Sequence, residues 1–210
     1  MNKTGKRLCF FVSEDWYFCS HRLDLATYAR KHGFDVGVIV RVGKLGQKIR
    51  DAGLSLFPVG LSRRSINPFS EIKVIWHVYR YYKNYKPDIV HNVALKPVIY
   101  GTIAAKLAGV PVVVNAFAGL GWLFSSSNFK VRMVRNLVRI VYRLLLKKTY
   151  LIVQNPDDYK VLEKIGLKNI SLIRGAGVDI DQFKYRPEND STPLIILPAR
   201  LLWNKGVGRF

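Results

Sequence analysis

Acidic residues are scarce in this sequence. The 210-residue chain has 14 Asp and Glu against 34 Lys and Arg, which gives a formal net charge of +20 and a pI near 10.1. Such an imbalance indicates an anionic partner. The charge alone does not show whether this partner is a phosphate head group, a nucleotide diphosphate or nucleic acid.

Cysteine is almost absent as well. Cys9 and Cys19 are the only two, too few for a disulfide framework and without the spacing or the companions of a metal site. We therefore expect reduced, cytosolic thiols and no metal bound by cysteine.

Long apolar runs are also missing. The basic N-terminus is followed by an apolar run at residues 8–12, which is too short for a signal peptide. No run approaches the roughly 20 residues of a membrane-spanning helix. We therefore expect an intracellular chain that does not cross a membrane.

Short apolar runs rich in β-branched and aromatic residues alternate with stretches of helical periodicity. With 49% hydrophobic residues, the chain can bury one sizeable core with a little left over. The alternation is typical of βα units on a parallel sheet and predicts a Rossmann-like, doubly wound α/β domain. Strands are expected at 8–13, 35–40, 54–59, 88–92, 112–116, 150–154 and 170–174. Helices are expected near 20–32, 44–52, 70–85, 96–108, 128–147 and 156–165.

The pattern changes towards the end of the chain. A turn and a polar, Pro-flanked segment follow the last helix-and-strand unit, so the first domain is expected to cover residues 1–185 and a linker residues 186–193. Residues 194–210 then read as a buried strand that leads into a loop carrying Arg200 and Lys205. Because a parallel strand needs neighbours and covering helices, this segment is interpreted as the truncated start of a second domain.

Polar residues follow several predicted strands, at the edge where open parallel sheets bind ligands. His21 and Arg22 lie at the start of the first predicted helix, where free N–H groups favour anions, and this pair predicts binding of a lipid diphosphate or a donor phosphate. His91 closes the fourth strand and has two interpretations, a ligand contact in the cleft or a hydrogen-bonded structural histidine.

Four motifs follow one another at these strand ends. They are Asp88-Ile89-Val90-His91, Val112-Val113-Val114-Asn115-Ala116, Gly177-Val178-Asp179 with Phe183, and Ala199-Arg200-Leu201 with Lys205-Gly206. In this order they resemble the family-4 retaining glycosyltransferases of the GT-B fold. Four further segments resemble the bacterial branch that adds sugars to a lipid-linked acceptor during surface polysaccharide or glycan assembly. These segments are Trp16, Ser20-His21-Arg22-Leu23, Leu95-Lys96-Pro97 and residues 115–122.

The resemblance implies two Rossmann domains that face each other across a cleft, with the acceptor bound mainly by the first and the nucleotide-sugar donor mainly by the second. It assigns Arg200 and Lys205 to the donor diphosphate, whose growing negative charge fixed cations can stabilise without a metal. No cofactor is expected beyond the nucleotide-sugar, which is a substrate. Acceptor or cleft contacts are expected from first-domain residues, namely His21, Arg22, His91, Asn92, Lys96, Asn115, Gly119 and Gly121.

Three departures from the family pattern bear on activity. The Glu-x7-Glu motif of the second domain would lie beyond residue 210, and the loop after the first strand, residues 13–18, contains no Gly. Ala118 stands where some relatives have a sugar-contacting His. We therefore expect a truncated or partial enzyme that binds acceptor and is inactive as an isolated chain.

Two predicted helices concentrate the positive charge. Within residues 130–148 basic side chains recur every three or four positions opposite a broad apolar face. This helix could bind an anionic surface, or it could pack on the core with a solvated outer surface.

Residues 71–85 mix cations with aromatic rings, which suits a membrane interface. We expect peripheral binding to an anionic membrane, at the inner face of the cytoplasmic membrane.

Two alternative functions stay open at this point. The chain could be a non-catalytic, acceptor- and membrane-binding subunit that a separate chain with the donor-binding half completes. It could also be a nucleic-acid-binding protein driven by charge, although no recognisable reading motif is present, so nucleic acid is not the expected partner.

Overall fold

The computed structural model describes residues 5–62, 67–120, 129–178, 180–181, 183–185, 196–198 and 206–209. The chain divides into two compact units, Met1–Ala176 and Gly177–Phe210. The larger unit contains a seven-stranded parallel sheet with helices between the strands, which confirms the doubly wound α/β class. In the smaller unit a 3-10 turn is described at Val207–Arg209.

All seven strands predicted between residues 8 and 174 are present. The strands are β1 (Arg7–Glu14), β2 (Asp35–Arg41), β3 (Ser55–Pro58), β4 (Ile89–Val93), β5 (Val112–Phe117), β6 (Tyr150–Val153) and β7 (Ile170–Leu172). The helices described between them are α1 (Asp15–His21), α2 (Leu23–Lys31), α3 (Gly46–Asp51), α4 (Pro68–Tyr85), α5 (Leu95–Ala108), α6 (Phe129–Leu146) and α7 (Pro156–Lys164).

The first predicted helix differs from the prediction. Instead of one helix near 20–32, the chain enters α1 directly from β1 and forms α2 after a break at Arg22, whose φ of −134° is not helical. The break lets the chain leave the end of β1 and then return along the sheet. His21 therefore ends α1 and Arg22 immediately precedes α2, so neither lies at the start of the first helix.

Helix boundaries follow the local chemistry elsewhere. The Asn67 side chain accepts a hydrogen bond from the Phe69 N–H at 3.0 Å, and Pro68 occupies the first position of α4. The glycines that follow four predicted helices all have positive φ, the left-handed conformation in which glycine has no steric penalty. Their φ angles are +91° for Gly33, +72° for Gly53, +76° for Gly109 and +90° for Gly166.

The strand order is β3-β2-β1-β4-β5-β6-β7. β1 is central, because Leu8 pairs with Val36 of β2 on one side and with Ile89 of β4 on the other. The sheet is built outwards from β1 in one direction and from β4 in the other, so the winding reverses between them. In folds of this kind the ligand crevice opens at that reversal, beyond the carboxyl ends of the strands.

Both faces of the sheet are buried. Along β1, Cys9 and Phe11 pack with residues of α4 and α5, whereas Phe10 and Val12 pack with residues of α1, α2 and α3. A third cluster joins β5 and β6 to α6 and α7. This double coverage explains why the strands read as continuous apolar runs.

Within the described ranges, no helix is long and apolar enough to span a membrane. Cys9 and Cys19 are free thiols, and burial raises the pKa of each. The predicted bounds of the first domain and linker stay predictions, since the strand and phosphate loop expected after residue 193 lie largely outside the described residues.

Candidate functional site

The carboxyl edge of β1 and β2 is held together by one buried carboxylate. Asp15 begins α1, and its Oδ2 accepts backbone hydrogen bonds from Gly43 at 2.7 Å and from Leu45 at 2.9 Å. Its Oδ1 accepts from the Trp16 N–H at 2.8 Å. Hydrogen bonds to an ionised carboxylate are stronger than those between neutral groups. Asp15 therefore fixes the loop after β2 against the start of α1.

A pocket of about 310 Å³ opens beside this carboxylate. The indole of Trp16 is 49% exposed at its rim, and Arg41 forms an ion pair with Glu14 at 3.6 Å. The pocket's lining is Glu14, Asp15, Trp16, Arg41, Val42, Gly43, Lys44 and Leu45. An aromatic face with cationic and carboxylate side chains around it can hold a sugar ring and an attached anionic group.

Neither Arg41 nor Lys44 was among the predicted site residues. Their position directly after the predicted second strand could have indicated them, because ligands bind at that edge of a parallel sheet. The folding of the loop onto Asp15 is what brings them into one pocket with Trp16, and that contact joins residues far apart in sequence.

The predicted pair His21 and Arg22 is divided between two environments. His21 is exposed, stacks on Tyr17 with ring centroids 4.3 Å apart, and its Nδ1 lies 2.6 Å from the Ser20 hydroxyl. Arg22 is only 9% exposed, and its Nη1 donates to the His21 carbonyl at 2.9 Å. The structure therefore brings Arg22 into the interior and leaves His21 at the surface.

His91 lies inside the sheet at the reversal of winding. Its ring stacks on Phe10 of β1 at 5.2 Å, and 8% of the residue is exposed. Burial and, to a smaller extent, the nearby charge of Arg22 together lower the pKa of His91 to about 4. The imidazole is therefore neutral at pH 7 and lies within electrostatic reach of Arg22.

Asn92 and Asn115 form the centre of a buried polar network. Asn92 Nδ2 donates to Asn115 Oδ1 at 2.9 Å, and Thr102 donates to the same oxygen at 3.1 Å. Asn115 Nδ2 donates to the Thr149 hydroxyl at 3.1 Å. Both asparagines are fully buried, so in this structure their amides join the sheet to α5 and the end of α6. Their role as cleft contacts stays a prediction.

Lys96 is held near the start of α5. Its Nζ lies 2.9 Å from Glu71 Oε1 and donates to the Ser62 carbonyl at 2.8 Å. The preceding Ala94 has φ +80° and ψ +164°, a conformation that costs a non-glycine residue about 1–3 kcal/mol. A strained residue at the carboxyl end of β4 is consistent with a functional edge, and the ligand contact of Lys96 stays a prediction.

The loop after β5 is tied to α7. Asp158 Oδ2 accepts from the Leu120 N–H at 3.1 Å and from Asn155 Nδ2 at 2.8 Å. Gly119 has φ +112° in this loop, next to the Asp158 carboxylate. Gly121 lies outside the described residues, as do Arg200 and Lys205, so the predicted roles of these three remain predictions.

Two basic helix surfaces carry exposed apolar side chains. On α4, Phe69 is 83% and Trp76 is 56% exposed, and the nearby cations of the helix are solvent-exposed Lys73, Arg80 and Lys83. On α6 and α7, a depression of about 340 Å³ is lined by Arg139, Ile140, Arg143, Lys164 and Ile165. Both surfaces combine apolar contact area with positive charge, which suits an anionic interface.

Two curated enzymes are similar to this chain. The N,N'-diacetylbacillosaminyl-diphospho-undecaprenol alpha-1,3-N-acetylgalactosaminyltransferase of Campylobacter jejuni is 30% identical over 192 residues, which are 84% of this chain and 51% of that enzyme. The UDP-Gal:alpha-D-GlcNAc-diphosphoundecaprenol alpha-1,3-galactosyltransferase of Escherichia coli is 32% identical over 159 residues, 71% of this chain and 38% of that enzyme. The chain thus spans about half the length of these relatives or less.

Known structures agree on the fold. A glycosyltransferase from Rickettsia africae superimposes with a TM-score of 0.65 at 19% identity, over 86% of this chain and 45% of the other. At this identity the likeness concerns the fold alone. The model of the family described as glycosyl transferase 4-like matches residues 7–155, well over half of the sequence. The chain therefore belongs to the glycosyl transferase 4-like family, as its motifs indicated.

Proposed function

We propose that this chain provides the acceptor-binding half of a glycosyltransferase that moves a sugar from a nucleotide-sugar to a sugar carried on a lipid diphosphate. The observation that carries the proposal is the acceptor named in both relatives, a sugar on a diphospho-undecaprenol, together with a match to one of them over 84% of this chain. Glycan assembly on a membrane-borne carrier is the corresponding process.

The pocket beside Asp15 supports an acceptor-binding role. Its volume of about 310 Å³ suits a monosaccharide with part of its attached phosphate. Trp16 offers a ring face for the apolar side of a sugar, and Arg41 and Lys44 offer positive charge for the phosphate. The three backbone hydrogen bonds to Asp15 hold the backbone of Trp16 and the loop that carries Lys44 in place before a ligand arrives.

The donor side of the reaction is assigned to residues beyond the described unit. Arg200 and Lys205 would bind the donor diphosphate, within a second domain carried either by a longer form of this chain or by a separate chain. On this proposal the larger unit, Met1–Ala176, binds the acceptor.

Acceptor binding can be tested through tryptophan fluorescence. The 210-residue protein is titrated with a short-chain prenyl-diphosphate-linked N-acetylhexosamine, and the same sugar without the prenyl diphosphate is the comparison ligand. Saturable binding should weaken at least tenfold in Arg41→Gln, which loses a phosphate contact. It should be unchanged in Arg50→Gln, which alters an exposed arginine of the neighbouring α3. Equal affinities of the two variants would contradict the proposed pocket.

We also propose that the basic surface of α4 contacts an anionic membrane. Phe69, Ile72 and Trp76 lie on one side of the helix at spacings of three and four residues and are all exposed. Basic residues near an anionic leaflet contribute about 1 kcal/mol each, so removing Lys73 and Arg80 should reduce vesicle binding by roughly thirtyfold. Peripheral attachment at the inner face of the cytoplasmic membrane would bring the chain to a lipid-borne acceptor.

Vesicle co-sedimentation tests this surface. Vesicles containing phosphatidylglycerol should bind the protein more strongly than neutral phosphatidylcholine vesicles. Trp76→Ser should weaken the binding, whereas Tyr28→Ser, which removes an equally exposed aromatic ring from α2, should not. Equal binding to both kinds of vesicle would refute the membrane proposal and leave the pocket proposal standing.

A further inference from the structure

Arg22 and His91 are both buried near the point where the winding of the sheet reverses, and the charge of Arg22 acts on the His91 ring. His91 belongs to β4, in register with Phe10 of β1 on one side and Val114 of β5 on the other. Arg22 reaches it from the junction of α1 and α2. Both residues are more than nine-tenths buried, yet neither belongs to the pocket beside Asp15.

Each of these side chains has a buried nitrogen without a partner. Among the described residues, Arg22 Nε and His91 Nε2 form no hydrogen bond, although Arg22 Nη1 donates to the His21 carbonyl. A buried polar group left unpaired costs about 1–3 kcal/mol, and a charged group costs more. Two such unpaired donors, near enough for the charge of Arg22 to act on His91, indicate that a ligand completes this site.

The charge of the pair selects the kind of ligand. Arg22 is cationic, and within the described part of the chain no carboxylate forms an ion pair with it. Burial lowers the pKa of Arg22, and Tyr17 acts in the opposite direction. His91 is neutral at pH 7 and can donate one hydrogen bond from Nε2 in the matching tautomer. The site thus offers a net positive charge and two N–H donors, which repels metal ions and suits an oxyanion.

We propose that Arg22 and His91 together bind an oxygen of a phosphate group. The inference rests on the proposed function, because a diphosphate occurs in both the nucleotide-sugar and the lipid-linked acceptor. β1 and β4 flank the crevice expected to hold these substrates. His91 lies on β4, with its ring stacked on Phe10 of β1, and Arg22 lies at the junction of α1 and α2. One phosphate oxygen that accepts from Arg22 Nε and His91 Nε2 satisfies both buried donors.

The histidine ring provides a direct readout. An anion beside His91 favours its protonated form, and an opposite charge at 4–6 Å raises a pKa by roughly 1–3. In the 210-residue protein, the ring nitrogen signals of His91, assigned with His91→Gln, should show its pKa rising from about 4 towards 5–7 when inorganic pyrophosphate is added. Chloride at the same ionic strength is the control for screening.

Three probes distinguish the source of the phosphate. Inorganic pyrophosphate tests the shared chemistry, uridine diphosphate represents the donor, and farnesyl diphosphate represents the lipid-linked acceptor. A saturable response of His91 to any of them supports the site, and the stronger of the two organic diphosphates identifies the substrate bound there. His32 and His77 serve as internal comparisons, and their signals should stay unchanged.

Variants separate binding from general screening. Arg22→Gln should abolish the response of His91, and Arg50→Gln should preserve it. If none of the probes shifts the signals of His91 in the unmodified protein, or if Arg22→Gln responds as the unmodified protein does, the proposal is wrong. A protein whose His91 responds to pyrophosphate but which binds no prenyl-linked sugar would contradict the proposed function and leave this site intact.

Discussion

The buried imidazole of His91 should make folding stability depend on pH. In the folded chain the pKa of His91 is about 4 because of burial and the charge of Arg22, whereas an unfolded histidine has a pKa near 6.5. The unfolded state therefore binds one more proton between these values. The contribution of neutral His91 to stability is fully present above about pH 6.5 and is lost as the pH falls towards 4.

The size of this effect follows from the difference in pKa. Each unit corresponds to about 1.4 kcal/mol, so the full difference between about 4 and 6.5 amounts to roughly 3–4 kcal/mol. That is a large part of the 5–15 kcal/mol that typically separates folded from unfolded domains. The residue is 8% exposed, so solvent screening reduces the figure little.

Urea denaturation at a series of pH values measures the effect. Between pH 7 and pH 4 the unmodified protein should lose roughly 3 kcal/mol more stability than His91→Gln, whose side chain does not titrate. His32→Gln, an exposed histidine after α2, should follow the unmodified protein. Parallel pH profiles for the unmodified protein and His91→Gln would refute the assignment of a buried neutral imidazole, whatever the absolute stability of the variant.

Other predictions concern the buried network, the carboxylate clamp and the strained residue. Asn115→Ala leaves the partners of a buried amide unpaired and should destabilise the fold by about 3 kcal/mol in urea, against less than about 0.5 kcal/mol for exposed Asn84→Ala. Asp15→Asn weakens three backbone hydrogen bonds and should cost about 1–3 kcal/mol, whereas Asp51→Asn at the surface should be nearly neutral, as measured by thermal unfolding. Ala94→Gly should raise the free energy of unfolding by about 1 kcal/mol, because relief of strain exceeds the added chain entropy, and a loss of stability would contradict this.

The fold was predictable because the sheet is covered on both faces. Continuous apolar runs mark each strand, and glycines mark the helix ends, so local patterns specify the order of elements. The break at Arg22 was missed because helical periodicity continues across it. The end of α1 coincides with the burial of Arg22, a tertiary feature that sequence periodicity does not show.

The candidate site was only partly predictable for a similar reason. Asn92 and Asn115 were grouped with His91 because all three lie near strand ends. Side chains alternate between the two faces of a strand, however, so Asn92 points to the opposite face from His91 and towards α4 and α5. The position of Arg41 at the end of the second strand indicated the ligand-binding edge, but the pocket also depends on a loop that folds onto Asp15, a contact between residues distant in sequence.

The central position of β1 also governs how the chain can fold during synthesis. β1 is made first, yet one of its two neighbours is β4, and Leu8 obtains its partner there only when Ile89 has been made. Until then one edge of this largely buried strand remains unpaired, and such edges promote aggregation. Pairings of this sequence separation also slow folding. We expect nascent chains that end before β4 to need a chaperone, and chains that extend past Val93 to gain protease resistance abruptly.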